Sequence, residues 1–125
     1  MNVSLVEVAE HARVKAYIEQ SDSNLEAMGF TEHGSRHIAL VSSIARNVLQ
    51  RLGYDERLAE LAAIAGYVHD LGNCIGRVNH GAAGALLVEP ILRELGMHPE
   101  EIALILSAVG NHEEEVGEPV NEVAA

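Results

Sequence analysis

The sequence predicts an all-α protein built as a single helical bundle. Hydrophobic residues make up 48% of the 125 residues, whereas aromatic residues make up only 3%. Alanine, leucine, valine and isoleucine dominate the hydrophobic set, which favours closely packed helices over a sandwich of sheets. Apolar residues also recur at spacings of three and four along most of the chain, as they do in amphipathic helices. We therefore expect five to six helices in one domain over residues 1–125, because this length suffices for one hydrophobic core but not for two.

Charge and composition exclude several classes of partner. The chain has 8 Lys and Arg against 19 Asp and Glu, a formal net charge of -11. Because polyanions would be repelled, we expect neither a nucleic-acid polymer nor a membrane surface as a partner. The single cysteine, Cys74, excludes an internal disulfide, and the N-terminus lacks the pattern of a signal peptide. No apolar run approaches the roughly 20 residues of a membrane span, so we expect a cytoplasmic protein.

The first helix is predicted from Val3 to about Gln20, where apolar residues recur at helical spacing. The Ser-Asp-Ser-Asn stretch that follows breaks the pattern and predicts the end of this helix. His11 lies among charged neighbours within the helix. We interpret it as a solvated or partly buried residue rather than as a metal ligand.

The second helix is predicted from Thr31 to Leu52, with Gly53 as its C-terminal stop. Spacings of three and four define one inward stripe in this helix, formed by His33, His37, Val41, Ile44, Val48 and Leu52. A lone histidine in such a stripe is usually a buried residue bonded to a carbonyl, but His37 also lies where a metal ligand would be needed. His33, one turn earlier on the same face, is a candidate for contact with a substrate phosphate or for supporting a ligand.

The third helix is nearly all apolar, which predicts a central helix buried on several sides. Its apolar residues include Leu58, Leu61, Ala62, Ala65 and Val68. The doublet His69-Asp70 lies at its end, and Leu71-Gly72 closes it. Burying an imidazole beside a carboxylate is costly unless an electropositive group compensates both, and the C-terminal end of a helix also favours a cation. A cation bound at His69-Asp70 would meet both conditions.

Residues 72–79 favour a turn or loop. Arg77 is the only cation close to His69-Asp70 in the sequence, and two roles stay open for it. It either binds a substrate phosphate by a two-pronged hydrogen bond or pairs with a surface carboxylate. Cys74 has no cysteine partner or flanking base, so we interpret it as a packed residue.

Two further helices complete the predicted bundle. The fourth starts near His80, where small residues allow close approach to the central helix, and Pro90 predicts a kink or a fresh start within it. His80 is therefore either a helix-start residue or a ligand. The fifth has Pro99 in its first turn, and its inward residues are Ile102, Ile105, Leu106 and Val109. His112 follows this series at helical spacing, so we expect it to project to the same side.

The order of these residues, His37, then His69-Asp70, then His80, then His112, resembles the HD superfamily of metal-dependent phosphohydrolases. The matching motifs are HIALV, HDLG, HGAAG and NHEEE, and together they cover most of the chain. The resemblance implies a helical bundle of the HD-domain type. It also implies that His37, His69 and Asp70 bind a first metal ion, and that Asp70 bridges to a second ion held by His80 and His112. By the same resemblance, His69 and Asp70 take part in catalysis.

The ligand types restrict the metal. Imidazole and carboxylate together suit Fe, Mn, Zn, Ni or Co, whereas an all-oxygen site would suit Mg or Ca better. The expected cofactor is one or two divalent transition metal ions. A metal with an open position lowers the pKa of bound water and polarises a phosphoryl oxygen. The resemblance thus implies hydrolysis of a phosphomonoester or phosphodiester of a small metabolite or nucleotide.

The sequence departs from the family pattern at two points. Members usually complete the first metal site with an Asp on a helix after the NHEEE motif. Here the tail offers only Glu113, Glu114, Glu115, Glu118 and Glu122, so we expect a C-terminally truncated form of a longer protein. Members with two metals can have a histidine pair where this chain has Asn111 and one histidine, which leaves the number of metal ions open.

Two other functions stay open. An HD module without turnover would be a regulatory domain that binds a metal or a metabolite, and its ligand would stabilise it without forming product. A helical interaction domain whose histidines are ordinary core residues would be unaffected by a chelator. The apolar first helix and the small-residue surfaces also favour a homodimer.

Overall fold

A computed structural model describes residues 2–30 and 35–111, and the structural statements below refer to these residues. They form six α-helices, a short 3-10 helix over Leu71–Cys74, and no β-strand. The α-helices are α1 (Leu5–Glu10), α2 (Ala12–Ala27), α3 (Ser35–Arg51), α4 (Glu56–Val68), α5 (His80–Leu95) and α6 (Pro99–Gly110). The prediction of an all-α bundle is confirmed. In these ranges, no helix has both the length and the apolar character that a membrane span requires.

Helix α4 is the centre of the hydrophobic core. Its buried residues are Ala59, Leu61, Ala62, Ala63, Ile64, Ala65, Gly66 and Val68. Helices α1, α3 and α6 pack against it, and its alanines allow close approach because they add little side-chain volume. Asp55 caps the start of α4, where its carboxylate accepts a hydrogen bond from the Leu58 amide at 2.8 Å. The prediction of a buried central helix is therefore confirmed.

The N-terminal region forms two helices, not the single helix that the periodicity predicts. The break falls at His11, which has an extended backbone. Its side chain caps α2, because Nδ1 accepts a hydrogen bond from the Arg13 amide at 3.1 Å. His11 thus ends one helix and starts the next, and the interpretation of His11 as a mid-helix residue is wrong.

Helix α2 continues through the Ser-Asp-Ser-Asn stretch to Ala27, so the predicted end at this stretch is also wrong. Two polar side chains in it have partners on the 3-10 helix. Ser21 Oγ donates to the Leu71 carbonyl at 3.2 Å, and Asn24 Nδ2 donates to the Asn73 carbonyl at 2.8 Å. These tertiary hydrogen bonds outweigh the weak helix propensity of the stretch.

The predicted inward stripe of α3 is wrong in its C-terminal half. Ile44, Val48 and Leu52 are exposed, whereas the buried residues are Ile38, Ser42 and Leu49. The reason is the crossing point with α4: a Cβ on Gly66 would lie 3.2 Å from the Ser42 Cα, and Ser42 Oγ donates to the Ala63 carbonyl at 2.7 Å. A small polar residue marks this crossing, so apolar periodicity does not reveal it. The predicted helix start at Thr31 lies outside the described residues.

Helix α5 begins at His80, as predicted, but it continues through Pro90 without a break. Proline removes the amide donor that would bond to the carbonyl of Leu86, four residues earlier. Leu86 lies on the exposed face of the helix. Water can satisfy its carbonyl there, so the missing bond costs less than it would in the core.

The 3-10 helix and the first turn of α5 approach each other closely at Gly72. A Cβ on Gly72 would overlap the carbonyl oxygen of His80 and would lie 2.7 Å from the amide nitrogen of Gly84. Both atoms belong to the backbone, so neither can move aside as a flexible side chain would. Glycine at position 72 therefore allows His80 to lie beside the His69-Asp70 turn.

We expect Gly72→Ala to lower the free energy of unfolding by about 3 kcal/mol, because the added methyl group overpacks a rigid backbone contact. Gly76→Ala is the matched control in the same segment, since a Cβ there would meet nothing within 4 Å. It should change stability by less than about 1 kcal/mol. Urea denaturation measures both values, and equal stability of the two variants would contradict this account of the contact.

Candidate metal centre

Three of the predicted ligands come together where α3 meets the end of α4. His37 lies in the first turn of α3, His69 directly follows α4, and Asp70 is the next residue. Their candidate ligand atoms all lie within 4.8 Å of one another, and all three residues are partly buried. Metal bonds to such atoms measure about 2.0–2.2 Å, so two ligands of one ion lie up to roughly 4.4 Å apart. The cluster is therefore close to the geometry of a shared ion.

Backbone carbonyls fix the orientation of two histidine rings. His69 Nδ1 lies 2.6 Å from the Gly66 carbonyl oxygen, and His80 Nδ1 lies 3.1 Å from the Arg77 carbonyl oxygen. A carbonyl oxygen only accepts hydrogen bonds, so each Nδ1 must donate its proton. In the neutral rings, the lone pair is then on Nε2. Metal-binding histidines usually have this tautomer, with the other ring nitrogen donating a hydrogen bond to a carbonyl or carboxylate oxygen.

Both Nε2 atoms face the carboxylate of Asp70. His69 Nε2 lies 3.1 Å from Oδ2, and His80 Nε2 lies 3.4 Å from Oδ1. Nitrogen lone pairs and carboxylate oxygens repel each other at these distances unless a positive charge lies between them. The arrangement thus requires a proton or a metal cation, and the donor set fits a divalent ion bound by His37, His69 and Asp70.

The pKa of His69 reflects the same need for a positive charge. Burial opposes the charged form of this ring, but the hydrogen bond and the negative charge of Asp70 outweigh burial and raise the pKa of His69. A hydrogen bond to Gly66 also raises this pKa, while the nearby charge of Arg77 lowers it. A proton and a metal ion therefore compete for the same nitrogen.

His80 lies on the other side of Asp70 and is buried. It is the first residue of α5, and Asn79 before it has a left-handed backbone with φ of 56°. Asp70 therefore has an imidazole at each of its two oxygens. The predicted site residues His33 and His112 lie outside the described residues.

Arg77 is held beside the centre by two contacts. Its guanidinium lies 5.0 Å from the centroid of the Phe30 ring, and its Nη1 donates to Asn73 Oδ1 at 3.3 Å. Asn73 is fully buried, and its Nδ2 donates to the backbone carbonyl of Asp70 at 3.0 Å. Asn73 therefore connects the guanidinium of Arg77 to the turn that holds Asp70.

Sequence reasoning identified Arg77 but missed the residues that support it. Asparagine is common in loops, so the residue type of Asn73 does not indicate a special role. Only its position three residues after Asp70 indicates that it stabilises the turn. Sequence reasoning also did not identify α2 as part of the site. A crevice beside Asp70 is lined by Ile18, Ser21, Asp22, Leu25, Ile38, Tyr67 and Leu71.

The cysteine near the site has the properties of a packed residue. Burial raises the pKa of the Cys74 thiol, whereas a nucleophilic cysteine usually has a lowered pKa.

The helical fold and the cluster of His37, His69 and Asp70 together describe an all-α domain with a candidate metal site. The model of the HD domain family matches residues 34–124, and the chain belongs to this family. HD domains typically bind divalent metals, and the family suggests a metal-dependent hydrolase. Neither the curated proteins nor the solved structures yielded a match to the chain.

We expect Mn²⁺ to raise the melting temperature of the chelator-treated protein, since an ion that binds only the folded state stabilises it by about 2.7 kcal/mol at 100 times its Kd. Asp70→Asn keeps the shape of the side chain but removes its negative charge, so it should abolish the Mn²⁺-induced rise in melting temperature. His37→Gln should reduce this rise strongly. Thermal unfolding monitored by circular dichroism measures the effect. His98→Gln, at an exposed histidine, is the control and should keep the full shift. An unchanged shift in Asp70→Asn would contradict the proposed ligand.

Proposed function

We propose that the protein is a metal-dependent phosphohydrolase that cleaves a phosphomonoester or phosphodiester of a small metabolite or nucleotide. The observation that carries the proposal is the cluster of His37, His69 and Asp70, whose donor atoms lie within 4.8 Å of one another. Membership of the HD domain family supports it. So does the position of Arg77 beside the centre, because an arginine can bind a phosphate by two parallel hydrogen bonds.

The proposed metal ligands are assigned in two sets. His37, His69 and Asp70 hold the first ion, and Asp70 with His80 and His112 holds a second. Imidazole with carboxylate suits Mn, Fe, Zn, Ni or Co. When a divalent ion is bound, the chemistry supplied at this centre is Lewis acidity toward water and toward a phosphoryl oxygen.

The protein side chains supply orientation and charge. The Gly66 and Arg77 carbonyls hold the rings of His69 and His80 so that their Nε2 atoms face the reaction centre. The guanidinium of Arg77, placed by Asn73 and Phe30, neutralises charge on a substrate phosphate and on the transition state. Asn73 is fully buried, so we expect it to hold Arg77 in this position before substrate binds.

The net charge of the chain limits the size of the proposed substrate. At -11, the chain would repel a nucleic-acid polymer, whereas a small phosphorylated molecule meets mainly the local charge of Arg77 and the metal. A role for His33 at the substrate phosphate, a homodimer and a cytoplasmic location stay predictions from the sequence.

We expect the Mn²⁺-loaded protein to hydrolyse p-nitrophenyl phosphate, bis(p-nitrophenyl) phosphate or a member of a nucleotide panel. Asp70→Ala should lower this activity about a thousandfold while the helical circular dichroism spectrum is kept. His98→Gln is again the control and should be fully active. Metal-dependent stabilisation without turnover on any substrate would contradict the proposal and would favour a regulatory HD module.

Arg77→Gln should lower kcat/KM for the same substrate about 10- to 100-fold, because a hydrogen bond between charged groups contributes about 1.5–3 kcal/mol. The Mn²⁺-induced melting shift should stay within error of the wild type, since Arg77 contacts the substrate and not the ion. Arg93→Gln is the matched control, because Arg93 pairs with Glu89 on the exposed surface of α5. Equal activity of Arg77→Gln and wild type would exclude the phosphate role.

A further inference from the structure

Exposed apolar side chains lie on the two segments that hold Arg77. Met28 and Phe30, directly after α2, are 48% and 40% exposed, and Ile75 and Val78, after the 3-10 helix, are 68% and 85% exposed. We call these four residues the apolar rim of Arg77. Single exposed apolar residues are common on protein surfaces, but four on adjoining segments around one charged group indicate a binding surface.

Hydrogen bonds join the two segments of the rim. Asn24 Nδ2, near the end of α2, donates to the carbonyl oxygens of Asn73 at 2.8 Å and of Cys74 at 3.3 Å. Arg77 makes a second connection, because its guanidinium lies 5.0 Å from the centroid of the Phe30 ring. The end of α2 and the segment around Arg77 therefore form one surface.

This surface lies next to the candidate metal centre. The Phe30 amide donates to the Leu25 carbonyl at 2.9 Å, and the buried residue Leu25 lines the crevice beside Asp70. Arg77 bonds to the side chain of Asn73, which bonds in turn to the backbone of Asp70. A phosphate ester bound at Arg77 would therefore have its organic group next to the apolar rim.

The chemistry of the rim restricts this organic group. The four side chains offer no hydrogen-bonding group except the weakly accepting sulfur of Met28. Hydroxyl groups that lost water against this surface would stay without a partner, which is unfavourable, whereas apolar groups gain free energy when they leave water. The flat ring of Phe30 also favours contact with another aromatic ring. The rim thus suits an apolar group and not a sugar.

The extent of the rim favours a small molecule over a protein partner. A specific protein interface usually has about 20–30 residues on each side. Among the residues that the structure describes, the rim has four, and they surround a single guanidinium. One charged group beside a few apolar side chains matches a small ester, which has one phosphate and one organic group.

We propose that the organic group of the substrate is apolar, an aryl or alkyl group, and that Phe30, Ile75 and Val78 select it over a sugar or polyol. The inference rests on the proposed function, in which Arg77 binds the phosphate, and it narrows the substrate to an apolar small metabolite. Arg77 and the metal bind a group that all phosphate esters share. The apolar rim distinguishes one ester from another, so Phe30 is a specificity-determining residue.

Binding of two non-hydrolysable phosphonates tests the inference without turnover. Benzylphosphonate has an apolar organic group and dihydroxypropylphosphonate has a polyol, whereas the charged group is the same in both. Isothermal titration calorimetry of the full chain loaded with Mn²⁺ measures both dissociation constants. We expect benzylphosphonate to bind about tenfold more tightly, since burial of roughly half of a phenyl group gives a factor of this order.

Substitutions separate the apolar rim from the phosphate contact. Phe30→Ala and Ile75→Ser should each lower the ratio of the two affinities about threefold, because they remove apolar contact area. Arg77→Gln should weaken both phosphonates by a similar factor and keep the ratio. Leu52→Ser is the matched control and should change neither affinity. Leu52 is 68% exposed, as is Ile75, but it follows the far end of α3, roughly 22 Å along the helix from His37.

Three results would overturn the inference. Equal affinities of the wild type for the two phosphonates, or binding of neither, would show that the surface does not select an apolar group. An unchanged affinity ratio in both Phe30→Ala and Ile75→Ser would show that the preference arises elsewhere. A loss of both affinities in Phe30→Ala at constant ratio would show that Phe30 only positions Arg77.

The hydrolase proposal is tested separately by turnover. A protein that prefers benzylphosphonate through Phe30 and Ile75 but hydrolyses no ester would contradict the hydrolase activity and would support the apolar rim as a ligand-binding surface. Turnover without a preference between the two phosphonates would support the hydrolase and overturn the inference about its substrate.

Discussion

The close backbone contact between Gly72 and the first turn of α5 is the constraint on which the metal centre depends. The absence of a side chain at Gly72 allows His80 to approach the turn after α4 and to face one oxygen of Asp70, while His69 faces the other. A second close contact, between Gly66 and Ser42, sets the crossing of α3 and α4. This crossing brings His37, in the first turn of α3, to the same centre. Two glycines without catalytic chemistry thus determine where the ligands lie.

The electrostatics of the centre follow from this packing. The fold places the partly buried carboxylate of Asp70 next to imidazole nitrogens of His69 and His80. Backbone carbonyls accept the Nδ1 protons of these rings and so direct them away from the carboxylate. Such a set of acceptors is stable only around a positive charge, which a proton supplies at low pH and a metal ion supplies when His69 is neutral. Arg77 adds a further positive charge at the rim, where its contacts with Asn73 and Phe30 hold it. The chain belongs to the HD domain family, whose members typically bind divalent metals, and this agrees with the need for a positive charge at the centre.

Local patterns predicted the parts of the fold that depend on local chemistry. The buried helix α4, the start of α5 at His80 and Pro99 in the first turn of α6 follow from apolar composition and from known terminal signals. The predicted break at Ser21–Asn24 failed because Ser21 bonds to the Leu71 carbonyl, which is 50 residues away in sequence. The predicted stripe of α3 failed because the contact with α4 runs through Ser42, a residue that apolar periodicity does not include.

The metal centre shows the same difference between local sequence patterns and contacts between distant segments. His37, His69, Asp70 and His80 were recognisable because chemically distinctive residues occur in a familiar order, and the fold brings them together. Asn73 and helix α2 were not recognisable, since their roles depend on hydrogen bonds between segments far apart in the chain.

The most direct test of the central claim is an anomalous X-ray diffraction map from crystals of the protein grown with Mn²⁺. The account predicts a peak within about 2.0–2.3 Å of a nitrogen of His37, a nitrogen of His69 and an oxygen of Asp70. A peak at other residues, or no peak at saturating Mn²⁺, would contradict it.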